Sequence, residues 1–184
     1  MHTFNMMDKK TLSFEYFISL LINWRSEKYG DISSNDFSTL KVLKLLFFCS
    51  AINAEENSEN TLLDSPFDNF YAMPYGHVES DIYNSIRKNE LQFYEISNSQ
   101  TIVKNKNNFN NLSPIIKEQI DISFKKLVKI NPELFEMTPL ELVELSHQWY
   151  SWKFYYSKAK QSGSFSAPIP PYIIKSEDKF LFID

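Results

Sequence analysis

Apolar positions recur at helical spacing in long blocks along this chain, with polar runs between them. Tyr16, Phe17, Leu20, Leu21 and Trp24 fall on one face and predict a first helix over about residues 11–26, broken by Gly30-Asp31. A second helix is predicted over about 36–53, with Ser34 or Asn35 as its N-cap. Leu40, Leu43 and Phe47 mark one stripe of it and Val42, Leu45, Leu46 and Cys49 another. A helix apolar nearly all round belongs at the centre of a fold, with Lys41 and Lys44 marking its wet edge. Residues 53–60 are a polar loop, and 61–76, holding Pro66, Pro74 and Gly76, read as irregular. A short helix over about 79–88 buries Ile82, Tyr83 and Ile86.

Leu91–Ile96 and Thr101–Lys104 predict two short strands around a turn at Asn98-Ser99, followed by a polar loop over 105–112. Ser113-Pro114 opens a helix that runs to Ile130, where Asn131-Pro132 ends it. Thr138-Pro139-Leu140-Glu141 is a capping box, and the helix it opens carries Leu142, Leu145, Trp149, Trp152 and Tyr156 on one stripe. Residues 161–171 read as a loop. Tyr172–Ile183 is compatible with a helix or with a pair of strands. The fold class is therefore mainly α: a single compact helical domain over 1–184, with a short β-hairpin around residues 91–104.

Composition sharpens this picture. The chain has 184 residues, one domain's worth, and only three glycines, which favours helices over a turn-rich β fold. Aromatics make up 16% and supply core or interface rings. The net charge of −4 gives no support for a nucleic-acid partner. Cys49, the single cysteine, sits in an apolar run; it predicts a buried thiol in a reducing compartment and excludes zinc sites built on several cysteines. Lys9-Lys10 before Leu12–Trp24 imitates a signal peptide, but Glu15 interrupts it and no small-residue cleavage site follows. A cytoplasmic location without membrane association is expected.

Two segments carry candidate chemistry. Ala72–Tyr83 contains Tyr75, Gly76, His77, Glu79 and Asp81, a loop that tightens at Gly76 and enters a helix whose N-terminus can hold an anion or a carboxylate. Equally, Tyr75 packs, Gly76 turns the chain and the acids only cap. Ser146–Lys153 carries His147, Trp149 and Trp152, either a binding face or a core face with a satisfied histidine. His77 and His147 with Asp81 or Glu79 have the composition of a two-histidine, one-carboxylate metal site. No HExxH, GxSxG or glycine-rich phosphate loop accompanies them, so no cofactor or metal is expected and no catalytic residue is assigned. Ser146 beside His147 is not a triad signal, because helix neighbours point apart. His2, at the terminus, receives no role.

Leu43-Lys44-Leu45-Leu46-Phe47-Phe48, then Ala72-Met73-Pro74-Tyr75-Gly76-His77-Val78 with Ile82-Tyr83, then Ser146-His147 with Trp152, resemble in order and spacing the SocA-like Panacea domain family, over roughly residues 14–180. Pro168-Ile169 also fits. His77 stands where the family pattern has Pro, and Ser146 where it has Thr. The resemblance implies a mostly helical protein that works by binding: an antitoxin that neutralises a cognate protein toxin encoded nearby, in some members as an adaptor to a ClpXP-type protease. Tyr75, Gly76, His77, Asp81, His147, Trp149 and Trp152 are the candidate partner-binding residues. Two alternatives stand beside it. One is a metal- or histidine-dependent hydrolase using His77, His147 and Asp81. The other is a phage or mobile-element protein acting on a host defence factor.

Overall fold

A computed structural model describes residues 6–30 and 34–183. His2 and Asp31 lie outside that range. The first helix, α1 (Met6–Tyr29), is longer than the periodicity predicts and buries Phe14, Phe17, Ile18 and Leu21 on one face. Helix α2 (Thr39–Ala51) is buried on every side from Lys41 to Ala51 and is the axis of the fold.

Two expectations about α2 need correction. The N-cap is Ser38, whose hydroxyl accepts the Lys41 N–H. Asn35 instead ties the segment before the helix to a distant strand: its amide pairs with the backbone of Thr101 and its carbonyl accepts the Phe37 N–H. Lys41 and Lys44 are not a wet edge; both have zero exposure. Lys41 is tolerated because its ammonium meets Asp36 at 2.6 Å, and Lys44 because its amine donates to the His77 carbonyl.

The segment expected to be irregular forms strands. β1 (Phe70–Met73) and β2 (Gly76–Glu79) pair antiparallel, with Met73 opposite Gly76 and the Pro74-Tyr75 turn between them. A two-residue strand, β5 (Ala167–Pro168), adds to the other side of β1 from within the expected 161–171 loop. Helix α3 (Ser80–Arg87) follows β2 directly, capped by the Glu79 carboxylate on the Ile82 N–H. The predicted hairpin is present as β3 (Tyr94–Ile96) and β4 (Thr101–Val103). Buried Glu15 of α1 docks it by accepting the N–H groups of Phe93 and Tyr94.

Helix α4 (Pro114–Ile130) runs as expected, and a single 3-10 turn, Pro132–Phe135, follows it. The helix from the capping box is not continuous. It breaks at Trp149 (ψ 135°) into α5 (Pro139–Gln148) and α6 (Tyr150–Gln161). The break lets the Trp149 indole enter the core against Phe47 and Phe48, and its N–H is taken by the Phe180 carbonyl at 3.0 Å. The C-terminal segment resolves as a short helix, α7 (Pro171–Ser176), and an irregular strap held by Trp149 and by Asn131 on the Leu181 carbonyl. Mainly α with small antiparallel sheets is thus the observed class. No helix among the described residues is long and apolar enough to cross a membrane.

Candidate functional site

The β1–β2 turn is pressed onto α2 and α5 so closely that Gly76 is obligatory. Its φ of +92° lies in the region that glycine favours. A Cβ there would also overlap the Ser146 hydroxyl and come within 3.0 Å of the Lys44 side chain.

Next to it, His77 is wholly buried, stacked on Phe47 at 3.7 Å and edged by Trp149. Nδ1 lies 2.8 Å from the Ser146 hydroxyl and Nε2 2.7 Å from that of Ser151. Ser146 Oγ also accepts the His77 backbone N–H at 3.1 Å. Beyond Ser151 stands Glu177, whose carboxylate accepts the Ser151 backbone N–H at 3.0 Å. Burial, helped by Lys44 and His147, holds the His77 pKa well below the usual histidine range, so the ring is neutral.

Lys44 lies under the same turn. Complete burial drags its pKa down to about 7, and the His77 carbonyl takes a hydrogen from it. On the outer side, half-buried His147 stacks on Trp152 at 3.6 Å, and Trp152 stacks on Tyr156 at 5.0 Å. The Trp152 indole N–H donates to the Met73 carbonyl at 2.8 Å, fastening this ladder of rings to the hairpin. His147 faces the Pro74 carbonyl, while its buried Nε2 has no hydrogen-bond partner; burial and Lys44 lower its pKa. Tyr75, at the tip of the turn, is 60% exposed.

Of the seven candidate residues, Tyr75, Gly76, His77, His147, Trp149 and Trp152 come together around this turn. Gly76, His77 and Trp149 lie inside it and build the surface rather than forming it. Asp81 belongs to a different cluster. With Asp68 and Glu79 it surrounds the Lys10 ammonium, at 2.8 Å to Asp68, 2.7 Å to Glu79 and 2.6 Å to Asp81 itself. These three carboxylates are the one group among the described residues with the spacing of a metal site, and Lys10 already occupies its centre. The two histidines take no part in it, and both His77 nitrogens are engaged by serines. The triplet His77, His147 and Asp81 is therefore not assembled as a hydrolytic centre.

Sequence reasoning missed Lys44, Ser151 and Glu177. Lys44 carried a signal, since a lysine in a helix without a polar face has to be buried. Ser151 lies between two tryptophans, and nothing local marks its role. Glu177 reaches the site only through tertiary folding.

No curated protein and no solved structure matches the chain. Residues 42–153 match the family model described as antitoxin SocA-like, Panacea domain, a span from α2 into α6 that contains the whole Gly76–His77 turn and both stacked rings that fasten it. That span is more than half of the sequence, and the chain belongs to the SocA-like Panacea-domain antitoxin family.

Proposed function

We propose that this protein neutralises a cognate protein toxin by direct binding, in the cytoplasm, through the surface raised on the Gly76–His77 turn. The observation that carries the reading is the division of labour at that turn. Gly76, His77, Lys44, Ser146 and Trp149 are buried and fix its shape, while Tyr75 projects and the His147–Trp152–Tyr156 ladder stands half open beside it. A rigid base under a few aromatic side chains is what a protein-binding hot spot needs, since fixed rings lose little entropy on contact. Family membership supports an antitoxin-type role. Asp81 belongs to the neighbouring Lys10 cluster and not to this surface.

The test is growth rescue. The adjacent open reading frame is expressed from an inducible promoter with and without this protein. Arrest by the neighbour and rescue by this chain are expected, with rescue weakened by Tyr75→Ala at unchanged melting temperature. A harmless neighbour, or toxicity without rescue, refutes the pairing. Toxin levels during rescue separate simple blocking from delivery to a protease: they stay constant in the first case and fall in the second.

A further inference from the structure

The flank of α6 turned away from the Trp152–Tyr156 ladder carries a second exposed aromatic surface. Tyr150, Phe154 and Lys158 are spaced by four and share that flank. Tyr150 and Phe154 stack at 5.5 Å, Tyr155 meets Phe154 edge-on at 5.2 Å, and the Lys158 ammonium lies 4.6 Å from the Phe154 ring centre. Tyr150 is 55% exposed and Phe154 37%. Rings in this number on one surface are unusual unless something covers them.

Charge says what kind of partner fits. From Leu145 to Ser176 the sequence contains four lysines and no aspartate or glutamate; in a chain of net −4 this leaves −8 on the remainder. Lys175 is paired with Asp64. Lys153, Lys158 and Lys160 are exposed and, among the described residues, form no ion pair; only Lys153 shares a surface groove with acids, Glu177 and Asp178. Three lysines are too few to hold a nucleic acid against the acidic remainder of the chain.

We propose that the Tyr150–Phe154 face of α6, bordered by Lys153 and Lys158, docks a segment of the protein partner that presents apolar side chains among carboxylates. The proposal rests on the reading that this protein acts by binding another protein, and it adds a second contact surface and the chemistry of what sits on it. Burial of the rings would supply affinity, and the lysines orientation and rate.

Two probes test it. The first is an amphipathic peptide of about 14 residues with leucine and tryptophan on one face and glutamate on the other, compared with the same peptide carrying lysine. Fluorescence anisotropy should give at least about tenfold tighter binding for the glutamate peptide, a preference that fades with salt and is lost in Phe154→Glu/Lys158→Glu. Equal binding of the two peptides, no binding, or a preference that survives the double variant overturns the proposal. The second probe is the adjacent gene product. If it is neutralised and Phe154→Glu/Lys158→Glu leaves its affinity within about twofold while melting is unchanged, the face is not the docking surface. If it is not neutralised but the glutamate peptide binds as expected, the toxin reading fails and the docking face stands. Sedimentation of a wild-type dimer that Phe154→Glu dissolves, or salt-dependent binding of a DNA oligonucleotide that Lys158→Glu abolishes, would assign the face to a second copy or to nucleic acid and overturn the proposal.

Discussion

Lys44 makes stability depend on pH in a way that isolates one residue. Its pKa is about 7 in the folded protein and 10.5 in the ordinary, solvated state. Between those values the unfolded chain holds a proton that the folded chain does not, so raising the pH removes an advantage of the unfolded state. Stability should therefore rise with pH across this window by about 1.4 kcal/mol per pH unit from this group alone. Below about pH 7 the full penalty, about 5 kcal/mol, is in force and no longer changes. Lys44→Met keeps the volume and removes the charge, at the cost of leaving the His77 carbonyl without its donor, about 1–3 kcal/mol. The variant should be the more stable protein at pH 6, by about 2 kcal/mol or more, and should lose that lead as the pH approaches 10. Urea unfolding followed by tryptophan fluorescence at successive pH values measures both proteins, and their difference cancels the other titrating groups. A difference that stays flat from pH 7 to 10 would mean that Lys44 is solvated or paired in the native state, and the buried-amine account would be wrong.

Other perturbations follow from the same contacts. Gly76→Ala meets both a positive φ and the Ser146 hydroxyl, and should cost about 3 kcal/mol, read as a lower urea midpoint with unchanged slope. Lys10→Met strands the buried Glu79 carboxylate with Asp68 and Asp81. It should cost about 3 kcal/mol at neutral pH, a deficit that shrinks on acidification because protonating Glu79 then relieves the repulsion. Thr138→Ala removes the capping box of α5 and should lower stability by about 1 kcal/mol in the same assay.

The elements legible in the sequence are those whose signals are local. The Thr138–Glu141 box, the Pro114 start of α4 and the 94–103 hairpin each depend on residues within a few positions of one another. The β2–β1–β5 sheet does not. Its strands are four, four and two residues long, too short for alternation to register, and β5 comes from a segment far along the chain. The break at Trp149 is hidden for a related reason. Helical periodicity is satisfied on both sides of it, and its stabilising partners, the Phe180 carbonyl and the Glu177 carboxylate, lie about 30 residues away. The site divides the same way: Tyr75, Gly76, His77, Ser146 and Trp152 stand out in sequence, whereas Lys44 has the residue type of a solvent-facing position and Glu177 has no local mark.

His77 and Ser146, which stand where the resemblance noted in the sequence implies proline and threonine, touch each other. Ser146 Oγ accepts the His77 backbone N–H, which a proline lacks, and bonds the His77 ring, which a proline also lacks. That N–H points toward α5 rather than into the β1 ladder, so proline is geometrically acceptable at this edge-strand position. Without His77 the serine hydroxyl loses both contacts and a cavity opens over Phe47, which the extra methyl of a threonine would help to fill. His77→Pro alone should destabilise by about 2–4 kcal/mol, from the ring's lost packing and the two serines left without it. Ser146→Thr alone should destabilise through crowding against Gly76, by about 1–3 kcal/mol. The double variant should be more stable than the sum predicts, by about 1–2 kcal/mol, because each change removes what the other offends. Urea midpoints of the four proteins close the cycle. Strict additivity would mean that the hydrogen bonds between His77 and Ser146 do not hold the turn.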